Sequence, residues 1–492
     1  MHTITLTVFA ALLLLIGTPA TGEEAYDVVI LNGRVIDPET GLDAVRNVGI
    51  RGQSVVIVSD DELTGTIEVD ATGLVVSPGF IDLHAHGQSA RANEFQAMDG
   101  VTTALELEGG VPDLPTFLAL RAGNAVINYG ASISHGAARA WSMPENSAYL
   151  DGLLRDTTTD GDFKFFEFIE PARNRELDPG LYPALWRRLG QGLNDGALGI
   201  GMPHQYYPGV SYDEIFRLFE FAAERDAPIF THVRSMGVSG MQEVIANAVA
   251  TGAPLHIVHM NSMSLWHYQT NLDLILGAQE RGADISVETY PYTAASTDIA
   301  SALFDAGWQE RMRISYEDIQ WQDTGERLTE ASFERYREQG GTVIIHMMKE
   351  EWIRAQLADP RVMIASDGMP YAPGAHPRGA GTFSRFLGRY VRDKEMMPLI
   401  NGLAKVSLMP AQRLESIAPQ MKRKGRIQIG SDADITIFDA EEIIDTADFQ
   451  GDLTYSSGVR YVLVNGEFVV WEGELVDGAR PGQAVVGRDV VF

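Results

Sequence analysis

The chain has 492 residues, 45% of them hydrophobic and 21% charged, with a formal net charge of −29 and no cysteine. That length is ample for one large domain and a smaller one. The acidic balance argues against nucleic acid, whose phosphates call for a basic surface, and the missing thiols exclude disulfides, thiolate metal sites and cysteine nucleophiles.

The N-terminus, MHTITLTVFAALLLLIGTPATGEE, has an apolar core too short to span a bilayer comfortably, followed by the small residues Ala20, Thr21 and Gly22. This is the pattern of a cleavable secretory signal, and it predicts an exported protein, periplasmic or secreted. The segment lacks Lys or Arg before its apolar core, so an uncleaved anchor is the alternative. Residues 1–22 are set aside from the fold. No other stretch is long and apolar enough to cross a membrane.

Next come YDVVILNGRVIDPETG, VRNVGIRGQSVVIVSD and TIEVDATGLVV, short β-rich runs broken by Gly and Asp-Pro turns. They predict a small antiparallel sheet. The far end reads alike, in GRIQIGSDADITIFD and VRYVLVNGEFVVWEGEL.

Between the ends, the strand finishing at His84 is followed by GVTTALELEGG, YGASISHG, GALGIG, PIFTHVR, LHIVHMN, DISVETYPY and VMIASDG. Each precedes a plausible helix or loop. Eight alternating β and α units predict an α/β protein with a closed parallel (β/α)8 barrel of the TIM type. A doubly wound sheet would alternate too, but no GxGxxG follows the first strand. The stretch near 303–350 exceeds one βα step, and a helical insertion over the barrel mouth is expected there.

The chemistry-bearing residues fall at strand ends. In PGFIDLHAHG, His84 and His86 lie at i and i+2, so on a strand they point the same way. His232 ends PIFTHVR, His259 lies in LHIVHM and Asp367 in VMIASDG. All strand C-termini of a parallel barrel meet at one face, so these five would converge. Zn²⁺ favours such a mixture of imidazole and carboxylate. For each residue alone the bland reading is a buried, hydrogen-bonded polar group, and His256, His135, His204, His346 and His376 are assigned that reading. Glu106 and Glu108 lie on one side of a predicted strand. The candidate metal-bridging carboxylate is Glu108, nearer the strand end, with Glu106 as the alternative.

PGFIDLHAHG, the strand-end histidines and SDG together resemble the amidohydrolase superfamily, whose members join a metal-dependent (β/α)8 barrel to a composite β-sandwich built from both chain ends. GVTTALELE, GALGIG, THVRS, HIVHMNSMS, ETYPYTAAST, SDGMPYAPGAHPRGAGTFSRFLGRYVR and PAQRL narrow the resemblance to the N-acyl-D-amino-acid deacylase (D-aminoacylase) branch, and within it to sequences labelled D-glutamate deacylase. The resemblance implies a sandwich from 23–77 and 416–492 and a barrel from 78–415. It implies His84 and His86 as ligands of one metal position, His232 and His259 of a second, and Asp367 as ligand and proton carrier, around one or two Zn²⁺ ions. It implies Tyr290, Ser296 and Arg378 as residues that hold the substrate's carboxylate and amide. Two departures stand out. The best-known deacylases of the branch use a cysteine ligand after strand two; here Gly109 falls near that point, so Glu108 or Glu106 must substitute. Asn261 stands where a substrate-binding lysine is common.

The implied activity is hydrolysis of the amide of N-acyl-D-amino acids, N-acyl-D-glutamate included, with a small-molecule substrate as partner. GALGIG lacks the lysine that related dipeptidases and dihydroorotases carbamylate. A dipeptidase, cyclic amidase or lactonase of the same superfamily is the nearest alternative, and a secreted binding protein with a degenerate site is the alternative from another class.

Overall fold

The computed structural model describes residues 26–157 and 163–488; the N-terminal segment read as a signal lies outside them. Eight strands form a parallel sheet: β1 (Phe80–Asp82), β2 (Val101–Val111), β3 (Asn128–Ser134), β4 (Ile200–Gly201), β5 (Ile229–Thr231), β6 (Leu255–Ile257), β7 (Ile285–Thr289) and β8 (Val362–Ile364). Each pairs with its neighbour in chain order. The ring is drawn together between β1 and β8 by a parallel bridge of Ala85 with Gly368 and by Ser366, whose backbone N–H and hydroxyl both donate to Asp82. These strands are buried nearly throughout. Continuous apolar runs such as VMI and LHI are what a sheet covered on both faces requires.

Both chain ends build a second sheet of nine strands. Its seam is the antiparallel pairing of Val75–Pro78 with Ile435–Phe438, where Ile437 lies opposite Val76. Val28, Ile30, Val48, Val76, Ile435 and Leu463, from both ends, share one apolar core. The C-terminal segment does not stay with this sheet throughout. Val485 N–H donates to Tyr129 O, and Tyr129 N–H to Gln483 O, so this last described stretch lies along β3.

The insertion near 303–350 is not simply helical. Ala295–Asp298, Ile319–Trp321 and Thr342–Ile345 form a three-stranded antiparallel sheet with Thr342–Ile345 in the middle, and helices Trp308–Met312 and Glu330–Gln339 pack on it. The β-branched run TVII fits a buried central strand better than a helix. Trp321 and Tyr336 stack at 3.9 Å between ring centres, fixing the longer helix to the sheet. The first strand carries Ser296 to the barrel mouth. Among the described residues no helix is long and apolar enough to cross a membrane.

Candidate metal centre and substrate cavity

His84 and His86 leave β1 with their Nε2 atoms 3.2 Å apart. His232 follows β5 and His259 follows β6. Glu108, inside β2, sits among all four. Its Oε1 is 3.0 Å from His232 Nδ1 and 3.0 Å from His259 Nε2. Its Oε2 is 3.5 Å from His84 Nε2 and 3.3 Å from His86 Nε2. One carboxylate thus offers one oxygen to each histidine pair. Of the four histidines Glu106 meets His86, at Nδ1, 2.8 Å away, and its other oxygen accepts from Gly109 N–H at 3.1 Å. Asp367 Oδ1 completes the cluster, 3.4 Å from His84 Nε2 and 3.5 Å from His86 Nε2. His259 and Asp367 both hold positive φ, at 30° and 52°. Backbone strain of this kind in non-glycine residues costs on the order of 1–3 kcal/mol and clusters at functional sites.

Proton bookkeeping decides what the cluster can hold. A carboxylate only accepts hydrogen bonds. His84 Nδ1–H therefore donates to Glu288 Oε1 at 2.6 Å, and His86 Nδ1–H donates to Glu106 Oε2 at 2.8 Å. In the neutral rings, both Nε2 atoms then carry lone pairs directed at one another and at Glu108 and Asp367. His232 Nε2–H donates to Gln205 Oε1 at 2.5 Å, which turns its Nδ1 lone pair on Glu108. His259 Nε2 faces Glu108 Oε1 at 3.0 Å and Arg378 covers Asp367 Oδ2; the remaining groups present acceptors to one another, an arrangement that a cation between them satisfies. Burial opposes protonation of His84, yet Asp367 and Glu288 push it up to about 10, while burial and His259 pull His232 down to about 4. His84, Glu108 and His259 form one group of potential ligand atoms within 4.8 Å of one another, and His84, His86 and Asp367 form another. Imidazole nitrogen and carboxylate oxygen in these numbers suit Zn²⁺, so the residues fit a divalent metal.

Glu288 is a participant that the sequence reading passed over. It is the penultimate residue of β7, is buried, and joins His84 Nδ1 to His256 Nε2, 3.0 Å away. Burial would raise its pKa, but His84 and His256 hold it down at about 2. His256 is thus not a ligand, but it anchors the carboxylate that orients one. Gln205 and Tyr206 were passed over as well. The Tyr206 ring lies 4.8 Å from that of His232, and its hydroxyl accepts from Thr297 Oγ1 at 3.2 Å. The only sequence signal for these two was their place just past β4, at the barrel mouth.

The residues expected to touch substrate divide. Ser296 lines a cavity of about 350 Å³ together with His86, Glu108, His232, His259 and Asp367. Tyr290, Arg378 and Asn261 lie immediately behind its wall, buried. Arg378 already forms an ion pair with Asp367, Nη1 to Oδ2 at 2.7 Å, and its Nη2 donates to Ser296 O at 3.3 Å. Burial works against ionisation of Asp367, but Arg378 and His84 hold its carboxyl well below the usual range. Asn261 spends its amide N–H on Tyr290 O, 3.1 Å away. Yet Tyr290 Oη, Ser296 Oγ, Arg378 Nε and Asn261 Oδ1 are buried without a hydrogen bond. Unpaired buried polar atoms are costly, and four in one corner mark a place for a polar ligand group.

The sequence pattern of the amidohydrolase family matches residues 68–470. An N-acyl-D-glutamate deacylase of Alcaligenes xylosoxydans xylosoxydans is 28% identical over 488 residues, covering 90% of this chain and 93% of that one. A D-aminoacylase of the same organism is 27% identical over 515 residues, covering 94% and 98%. Among solved structures, a D-aminoacylase matches with a TM-score of 0.78 at 26% identity, over 94% of this chain and 100% of the other. The N-acyl-D-glutamate deacylase of Bordetella bronchiseptica, solved with zinc and a phosphonate mimic of the tetrahedral intermediate, matches with a TM-score of 0.77 at 24% identity over the same shares.

Proposed function

This chain belongs to the amidohydrolase family and to its D-aminoacylase branch, and from that premise we propose that it hydrolyses the amide bond of N-acyl-D-amino acids, N-acyl-D-glutamate among them, with one or two Zn²⁺ ions. The observation that carries the reading is the cluster of four histidines around the Glu108 carboxylate, opening on a cavity that Ser296 lines, with unpaired polar atoms of Tyr290, Arg378 and Asn261 buried behind that wall. His84, His86, His232, His259, Glu108 and Asp367 would hold the metal. A bound divalent cation supplies Lewis-acid chemistry, making hydroxide available near neutral pH and polarising a carbonyl.

The chain's own residues do the rest. Asp367 Oδ1, beside the His84 and His86 nitrogens, takes a proton from the attacking water. The water oxygen bonds to the carbonyl carbon, the C–N bond breaks, and Asp367 returns the proton to the leaving nitrogen. The products are a carboxylate and a free amino acid. Help of this kind is worth roughly 100- to 10,000-fold. Burial pushes the Tyr290 hydroxyl up, so it stays protonated and can donate to the developing oxyanion. Ser296 Oγ and the Arg378 guanidinium meet the substrate carboxylate, Arg378 through its planar fork. His376 fixes that arginine: its Nε2–H donates to Ala294 O at 3.0 Å, and its Nδ1 accepts from Arg378 N–H at 3.1 Å.

The test is a metal-replete assay of N-acetyl and N-formyl D- and L-amino acids beside dipeptides and lactones. Hydrolysis of the N-acyl-D series above the rest supports the reading; preference for a dipeptide or lactone overturns it. We propose export as well, on the strength of the N-terminal apolar run. Recovery of the protein from the cytoplasmic fraction of its source cells would contradict that.

A further inference from the structure

Beyond the metal centre, the cavity continues toward β2. There it is walled by Val111, Phe117, Phe163, Phe165 and Phe166. This wall adjoins the centre directly. A Cβ placed on Gly109 would stand 3.3 Å from Phe165 and equally close to Glu106 Oε1, and Phe166 lies 5.2 Å from Tyr206, the ring that covers His232. Phe163, Phe165 and Phe166 are only half-buried, although one short segment carries all three. Apolar side chains left open to a cavity, rather than packed away, are the informative case. The arm also carries charged groups: Lys164 at the rim is paired with Glu167 at 3.1 Å, and the Arg121 guanidinium lies 4.0 Å from the Phe117 ring centre.

The direction of the substrate follows from the reading above, on which this inference rests. If the carboxylate end sits at Ser296 and the scissile carbonyl at the Glu108 cluster, the acyl substituent leaves on the far side. A trans amide sets Cα and the acyl chain on opposite sides of the C–N bond. The far side is the phenylalanine arm. The cavity of about 350 Å³ takes in the Ser296 end, the metal centre and the phenylalanine arm together, a size that accepts a drug-sized ligand, and the arm extends it with apolar wall beyond the centre. We propose that the phenylalanine arm is an acyl-group pocket, and that the enzyme's preferred substrates carry a medium-chain alkyl or arylalkyl acyl group in place of acetyl.

The experiment compares kcat/KM of the metal-replete wild-type protein on one D-amino acid bearing N-acetyl, N-butanoyl, N-hexanoyl, N-phenylacetyl or N-succinyl groups. Burial of each CH₂ contributes about 0.8 kcal/mol, or about fourfold. The expected rise is therefore about two orders of magnitude from acetyl to hexanoyl, with phenylacetyl also above acetyl. Phe165→Ala should collapse the hexanoyl-to-acetyl ratio by about tenfold, and Phe165→Leu should do so less. A flat series, or acetyl or succinyl as best substrate, overturns the acyl pocket while leaving amide hydrolysis standing. No turnover of any member overturns the hydrolysis reading itself, and this inference with it.

Discussion

Single residues set the charge at the centre. Asp367 touches the histidine nitrogens on one oxygen and Arg378 on the other, so its carboxylate is ionised across the working range. Asp367→Asn should retain most bound zinc and lose roughly 100- to 10,000-fold in kcat, read by elemental analysis beside turnover on a confirmed substrate. Unchanged turnover would remove Asp367 from the proton path. Glu288 acts one step back, by fixing which nitrogen of His84 carries the proton. Outer partners of this kind typically contribute about 10- to 100-fold in metal affinity. Glu288→Gln should weaken zinc by that factor in a chelator competition, and equal affinity would reduce Glu288 to a packing role. Glu288 was not legible in the sequence, because its importance rests on a contact spanning 204 positions and no local spacing marks it. His84 and His86 were legible because an i, i+2 pair at a strand end has one geometric consequence.

At the scale of elements, the eight barrel strands were legible as apolar runs, and the strand-end rule placed their polar successors at one rim. The three-stranded sheet of the insertion was not. Its strands are separated by long connections, and Ile319–Trp321 is too short to declare a period. The joints between elements were hidden too. Asp99, at the C-terminal end of helix Ala90–Met98, accepts from Phe383 N–H at 2.8 Å, Ser384 N–H at 3.0 Å and the Ser456 hydroxyl at 2.8 Å. It thereby ties that helix to two distant segments. Burial raises its carboxyl to about 6 against these bonds, whereas an unfolded aspartate titrates near about 3.9. Between those values the folded state holds the extra proton, so this group's contribution to stability falls as pH rises from about 4 to about 6, by up to ~1.4 kcal/mol per pH unit, and is level above. Asp99→Asn should remove that slope in denaturation curves taken across the window. An unaltered slope would show that Asp99 does not carry it.

The whole molecule is a barrel rim that gathers distant residues and a second sheet that closes both chain ends onto it. The C-terminal segment is tied to the barrel through Asp434, which accepts from Lys424 Nζ at 2.6 Å and from Asn128 Nδ2 of β3 at 2.9 Å. That both ends share one sheet was readable from their matching strand-rich composition; which strands meet was not, because pairing across the whole chain leaves no local trace. The buried histidines and carboxylates gathered at the centre make the fold itself sensitive to metal. Ligand that binds only the folded state stabilises it by about 2.7 kcal/mol at one hundred times Kd, so a chelator should lower Tm by a few degrees and added zinc should restore it. An indifferent Tm would mean that the histidines and carboxylates are satisfied without a cation. The most direct test is anomalous diffraction at the zinc edge from zinc-soaked crystals. The account predicts a peak at about 2.0–2.2 Å from Glu108 and from histidines of the His84, His86, His232 and His259 set, lost in Glu108→Ala crystals. No peak within that cluster, or one elsewhere with the cluster empty, would contradict it.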